Sequence, residues 1–575
     1  MSNSAILPFV VVRTPVSKLP AIGIRTWAVA MALVSPWAAI TQAQEAATKG
    51  TKSVASAVSE LDGIAKLQSE AVDEGAADWA HWGPNAEKYS SWTTHSNRLV
   101  PIYTFGGSLD SVTGENSSYR DAERIEKLYG RLPAETLNKS AEYCDQTDVY
   151  QLQKAAVEAG KKHIILFVFD GLDWQTTRAA AIAKTGQVAY TEGRGTGLAF
   201  QDYRKTETDF GSFVSSPHNN GTNADVNKQQ VTNPGGKTRG GYSPDRAGDK
   251  AWSEPENKTY LIGKDEELAH AYTDSAASAT SMTCGVKTFN NAINVDSFGR
   301  EVLPLARTLQ EKGFAVGAVS SVPVSHATPA CSYANNVQRS DYQDISRDML
   351  GLPSVFHPGG LPGLDVVMGG GWGESRDKDG GQGENFVPGN RYVATGDIKK
   401  LRASNDGQYV VVQRKSGKSG PAILKSAAKR AIKQEKKLFG FFGVPGGHLP
   451  FQTADGGFDP VKSVGNSAAA KAEQYSEADL SENPCLADMV SAALEVLDAK
   501  SERWWLMVEA GDVDWANHSN NIDNSIGAVL SGEAAFTKVA QWVETHGGWD
   551  DTLVIVTADH GHYLVLDRPE ALTGQ

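Results

Sequence analysis

The most regular feature along the chain is the apolar run His163-Ile164-Ile165-Leu166-Phe167-Val168-Phe169, which closes on Asp170-Gly171. An unbroken apolar run of strand length predicts a strand buried on both faces of a parallel sheet. A helix over Trp174–Ala183 follows, and strands and helices then alternate. Helices are predicted over Leu303–Lys312, Ala422–Glu435, Cys485–Asp498 and Ser525–Thr545. Strands are predicted at Ala315–Val319, Val366–Met368, Tyr409–Gln413, Leu438–Phe442, Trp504–Val508 and Thr552–Thr557. Alternation of this kind predicts an α/β fold: a three-layer sandwich whose central, mostly parallel sheet is flanked by helices.

The ends of the chain are patterned differently. Residues 44–85 are rich in alanine, glutamate and lysine, with helical periodicity from about Ser53 to Val72, whereas 86–160 mix aromatic and polar residues without strong periodicity. The expected division is therefore a lead-in over 44–160, helical and then irregular, ahead of a main domain over 161–575. Residues 190–262 and the glycine-rich 357–390 read as loops, and no internal repeat is found.

Composition narrows the class without choosing a chemistry. With 40% apolar and 21% charged residues, the chain is globular. A formal charge of −13 and the lack of a basic cluster argue against a nucleic-acid-binding surface. At the N-terminus, Arg13, Lys18 and Arg25 accompany an apolar stretch from Trp27 to Ile40, ending in Thr41-Gln42-Ala43. This predicts a signal peptide over 1–43, export to the periplasm or medium, and no membrane span once it is removed. The four cysteines, Cys144, Cys284, Cys331 and Cys485, allow three pairings, and the sequence does not choose among them. Cys284 reads as a buried free thiol. No CxxC pair is present for a thiolate zinc site.

Chemistry-bearing residues cluster at the strand ends, where open α/β sheets place their sites. Asp170 follows one strand; Glu509, Asp512, Asp514 and His518 follow another; Asp559, His560 and His562 follow a third; His326 and Thr328 lie just past a fourth. Each group alone reads as a turn, a cap or a surface pair. Together, so many carboxylates and imidazoles at one edge require something cationic. Mixed Asp/His donors suit zinc, and Asp/Glu/Thr oxygens suit magnesium. Tyr272-Thr273-Asp274-Ser275-Ala276-Ala277-Ser278-Ala279-Thr280 opens a helix running to about Cys284. There Ser275 is either a nucleophile at an anion-favouring helix N-terminus or part of a capped, alanine-rich buried helix.

Five separated motifs occur in order: Phe169-Asp170-Gly171, the stretch from Thr273 to Thr280, His326-Ala327-Thr328-Pro329-Ala330, Glu509-Ala510-Gly511-Asp512-Val513-Asp514 through His518, and Thr557-Ala558-Asp559-His560-Gly561-His562. From Lys162 to His562 the chain thereby resembles the alkaline phosphatases. The resemblance implies hydrolysis of small phosphate monoesters through a phosphoserine on Ser275, with two zinc ions and one magnesium. Asp170, Asp559 and His560 would hold one zinc, and Asp514 and His518 the other. Asp170, Thr328 and Glu509 would hold magnesium, with His326 in or beside that site. Arg339 would clamp phosphate oxygens, with Asp274 beside it in the substrate site; a planar guanidinium suits bidentate binding. A homodimer is a further expectation by resemblance. Two other readings use the same motifs: a relative acting on phosphodiesters or sulfate esters, and a truncated chain that binds metal or phosphate without turnover.

The chain departs from the family pattern twice. His326 and Trp515 stand where the best-known bacterial members carry aspartate and lysine. The family also supplies one more zinc histidine, with a final strand, well after the Asp-His motif, whereas this sequence stops at Gln575. The expectation is a catalytic domain truncated at its C-terminus, with the zinc of Asp514 and His518 one ligand short. His562 matches a family position that is not normally a ligand.

Overall fold

The computed structural model describes residues 63–268, 270–464 and 472–574. The signal peptide expected over 1–43 and the first half of the helix expected over 53–72 lie outside these residues; the remainder of that helix spans Gly63–Glu74.

Ten strands form the central sheet: β1 Val100–Phe105, β2 Cys144–Asp145, β3 His163–Phe169, β4 Thr208–Val214, β5 Ala315–Pro323, β6 Val366–Gly370, β7 Tyr409–Gln413, β8 Lys437–Phe441, β9 Trp504–Ala510 and β10 Thr552–Thr557. Their order across the sheet is β7-β8-β6-β5-β9-β3-β10-β1-β4-β2. From β7 to β10 every neighbouring pair is parallel. β1 runs against both of its neighbours, β10 and β4. The three central strands β9, β3 and β10 are buried at every position, which is what their unbroken apolar runs require. Phe169 is in register with Ala510, and Val168 with Thr557, so the residues after these three strands emerge at one edge of the sheet.

Helices pack in two groups. Gly420–Lys433 and Ile522–His546 both pack on Leu486–Lys500, and Trp174–Thr185 lies against Ile522–His546. Ser275–Cys284 packs on Gln146–Glu158 and on the short helix Ala327–Cys331. Sheet and helices together form the expected α/β sandwich.

The irregular lead-in expected over 86–160 is corrected: this stretch contributes β1, β2 and the helix Gln146–Glu158. β1 is buried at all six positions, yet its sequence Val-Pro-Ile-Tyr-Thr-Phe neither alternates nor runs unbroken, so neither strand pattern reveals it. Tertiary pairing supplies what the pattern lacks. The Pro101 carbonyl accepts from Thr557 Oγ1 at 2.9 Å, and Tyr103 pairs with Val556.

All four cysteines are free; Cys144, Cys284 and Cys331 are buried and Cys485 is exposed. Among the described residues, no helix is long and apolar enough to cross a membrane.

Candidate active site

The helix Ser275–Cys284 is built for burial. All ten residues are inaccessible, and small side chains let it sit close to the sheet edge. Asp274 caps it, with Oδ1 accepting from Ala277 N at 3.0 Å, and Gly285 ends it in the left-handed region at φ 71°. Ser275 is thus the first residue of a capped helix, and its hydroxyl is aimed at the strand ends. Its Oγ lies 3.2 Å from His560 Nε2 and 3.5 Å from Asp170 Oδ1.

Asp170, Asp559, His560 and Glu509 are completely buried, and Asp514 almost so. Gly171, at φ 74°, turns the chain directly after Asp170, and its N–H donates to Asp559 Oδ1 at 3.0 Å. A Cβ there would lie 2.9 Å from the His562 ring and 3.1 Å from Asp514 Cα. His560 Nε2 is 3.3 Å from Asp170 Oδ1 and 3.4 Å from Asp559 Oδ2. Asp170 Oδ2, Asp559 Oδ2 and Glu509 Oε1 are buried without a hydrogen-bond partner. Burial, and then the charges of Asp559, Asp514 and Glu509, push the Asp170 carboxyl well above the usual carboxylate range. Burial and the charge of Asp559 likewise push Glu509 up to about 8, against the hydroxyl of Ser320, which donates to it.

Ligand atoms converge in three groups, each within 4.8 Å: Asp170, Asp514 and His560; Asp170, His326 and Glu509; and His95, Asp514, His518 and His562. Thr328 sits close enough to Glu509 to lower its pKa. Buried carboxylates with orphaned oxygens beside imidazoles keep their charge only with a cation among them, and otherwise take up protons. The residues present therefore fit divalent metals, with His326 beside Asp170 and Glu509; Asp559, expected with Asp170 and His560, is in none of the three groups, and Asp514 stands there instead. Burial, then the neighbouring Arg339 charge, push His326 down to about 3, which leaves a neutral imidazole. Asp512 is drawn away from these groups: its Oδ1 accepts from Ser321 Oγ at 2.7 Å.

A cavity of about 440 Å³ opens over Ser275, lined also by His95, Asp274, Asn291, His326, Arg339, Asp514, Trp515 and His518. Arg339 crosses it with Nη1 2.9 Å from Asp274 Oδ2, and its backbone N–H donates to Asn291 O at 2.9 Å. Burial disfavours the guanidinium charge, but the Asp274 carboxylate outweighs this and raises the Arg339 pKa. The Arg339 guanidinium thus faces Ser275 across this cavity.

Sequence reasoning missed His95 and Ser320. Ser320 lies inside β5, where a small polar residue reads as strand. His95 lies in the stretch without periodicity, five residues ahead of β1; the one available signal was a histidine preceding an apolar segment.

A profile of the alkaline phosphatase family matches residues 252–570 of the chain. Alkaline phosphatase 3 of Bacillus subtilis is 28% identical over 309 residues, 52% of this chain and 52% of its own length. Alkaline phosphatase H of Pseudomonas aeruginosa is 29% identical over 326 residues, 54% of this chain and 62% of its own length. The chain spans between half and two thirds of the length of these relatives. Among solved structures, that of Thermus thermophilus alkaline phosphatase superposes with a TM-score of 0.41 at 22% identity, covering 70% of this chain and 60% of that one.

Proposed function

We propose, from the premise that the chain belongs to the alkaline phosphatase family, that it hydrolyses small phosphate monoesters to an alcohol and inorganic phosphate. The observation that carries this reading is Ser275 Oγ, at the start of a buried helix, 3.2 Å from His560 and beneath a cavity that Arg339 crosses.

In this reading Asp170, Asp559 and His560 hold one zinc ion, and Asp514 and His518 take part in holding a second. Asp170, Thr328 and Glu509 hold magnesium, with His326 alongside. Bound zinc supplies Lewis acidity toward the entering and leaving oxygens and brings the pKa of a water to about 7. The chain's own groups do the rest. The Arg339 fork binds two phosphoryl oxygens, and the first N–H groups of the Ser275 helix favour the same dianion. Ser275 Oγ bonds to phosphorus as the ester P–O bond opposite it breaks, and the alcohol departs. Water then bonds to phosphorus, the Oγ–P bond breaks, and phosphate is released with the serine restored. No histidine base is positioned for a serine triad: His560 Nε2, the imidazole nitrogen nearest Oγ, also faces Asp170 and Asp559 among the ligand atoms.

Replacing Ser275 with alanine tests the reading. Turnover of p-nitrophenyl phosphate should fall to background while the thermal unfolding midpoint stays near that of the parent protein. Near-normal turnover would overturn it. Side-by-side rates on a phosphodiester should be far lower than on the monoester.

A further inference from the structure

His95 is the one member of the metal-ligating groups that comes from ahead of β1. Its placement is not incidental. Ser96 N donates to Gly561 O at 2.9 Å, Ser96 Oγ donates to His562 O at 2.8 Å, and Trp92 Nε1 donates to the His95 carbonyl at 2.9 Å. These bonds extend the β1–β10 pairing past Thr557, where antiparallel geometry lays residues before β1 beside residues after β10. His95 is buried, and its ring stacks on His560 with centroids 3.6 Å apart.

Tautomers decide what its inner nitrogen can do. His95 Nδ1 lies 2.9 Å from Thr273 O, and His518 Nδ1 lies 2.7 Å from Thr93 O. A carbonyl only accepts, so each Nδ1 carries the hydrogen. In the neutral ring this leaves a lone pair on Nε2. The two Nε2 atoms are 3.1 Å apart, and Asp514 Oδ1 lies 3.6 Å from the first and 3.4 Å from the second. With both rings neutral, three electron-pair donors point at one another with no hydrogen between them. Around a tetrahedral zinc with bonds of about 2.0–2.1 Å, ligand atoms sit about 3.3 Å apart. His562 Nε2, only 2.8 Å from Asp514 Oδ1, is at hydrogen-bond distance instead.

We infer that His95, through Nε2, is the third protein ligand of the zinc ion held by Asp514 and His518, and that His562 positions Asp514 by donating a hydrogen bond to it. This rests on the two-zinc reading above. Two imidazoles and one carboxylate, each imidazole fixed by a carbonyl at its other nitrogen, form a donor set with a coordination position left for substrate. The histidine and strand expected after the Asp-His motif are then supplied from ahead of the nucleophile. The site depends on which residues meet at the sheet edge, and an antiparallel partner brings them there from either direction along the chain.

The test is zinc titration of the metal-stripped full chain, read by calorimetry and native mass spectrometry, with the visible spectrum of the cobalt-substituted protein as a second readout. The parent should bind two zinc ions tightly. His95→Ala should keep one and bind the other at least about 100-fold more weakly, with a changed cobalt spectrum. His95→Gln, whose amide can still donate to Thr273 O, should lose the same ion and serves should the alanine variant not fold. His562→Gln should keep both ions within about tenfold. Parent-like affinity for both ions in either folded His95 variant, or loss of an ion on changing His562 but not His95, overturns the assignment. A parent that binds two zinc ions but does not hydrolyse phosphate monoesters defeats the functional reading alone; a parent that binds fewer than two defeats both.

Discussion

Asp274 and Arg339 are joined at 2.9 Å through Asp274 Oδ2, while Asp274 Oδ1 caps the Ser275 helix at Ala277 N, 3.0 Å away. A single carboxylate therefore ties the Arg339 guanidinium to the helix that Ser275 opens. Asp274→Ala removes both ties, and Asp274→Asn keeps an oxygen for the cap. The alanine variant should lose about 1 kcal/mol of stability relative to the asparagine variant by thermal unfolding. Both should show a raised KM for p-nitrophenyl phosphate.

Arg339 works by geometry as well as charge. Arg339→Lys keeps the charge and loses the planar fork. KM for a phosphate monoester and the inhibition constant for inorganic phosphate should both rise about tenfold, equivalent to about 1.4 kcal/mol. Equal shifts in the two constants are the check that ground-state anion binding is what was lost.

Gly171 has no room for a side chain. At φ 74°, an alanine Cβ would press on the His562 ring and on Asp514 Cα while in a backbone region costing roughly 1–2 kcal/mol. Gly171→Ala should lower the unfolding temperature and reduce kcat up to about 100-fold, because a misplacement of about 1 Å among reacting groups costs that much.

His326 presents a neutral imidazole beside Asp170 and Glu509. His326→Asp replaces a nitrogen donor with a hard oxygen, which favours magnesium. Thermal stabilisation of the metal-stripped protein by magnesium should then begin at lower magnesium concentration than in the parent.

A pH effect is expected at the start of the helix Gln146–Glu158. Asp148 accepts from Asp145 N at 2.8 Å in the capping box of the helix Gln146–Glu158, next to the wholly buried Asp145–Lys287 pair. Burial, and then the Asp145 charge, push Asp148 from 3.8 up to about 7. The folded value lies above the unfolded one. Its contribution to stability is therefore complete below pH 3.8 and is lost as pH rises to about 7. Asp148→Asn preserves an acceptor and removes the proton. Between pH 5 and 7 it should flatten the decline of unfolding free energy by up to about 1.4 kcal/mol per pH unit.

Much of the fold was legible in the chain. β3, β9 and β10 are apolar throughout because both faces are covered, so local composition marks them. The helix from Ser275 to Cys284 announces itself by its cap and its small residues. Strand β1 and the helix Gln146–Glu158 went unread, since β1 carries a proline and a threonine and owes its existence to two antiparallel neighbours.

The sequence by itself determined the family, the α/β architecture, the capped helix that Ser275 opens, and the residues at four strand ends, because each of those groups lies next to a local pattern that marks it. It also implied a metal one ligand short. Only the tertiary structure brings a further imidazole, His95, beside Asp514 and His518. His95 lies 419 positions before Asp514 in the chain, and no local pattern joins them. The antiparallel pairing of β1 with β10 brings its Nε2 to 3.6 Å from the Asp514 carboxylate, since a sheet edge collects side chains by register and not by their distance along the chain.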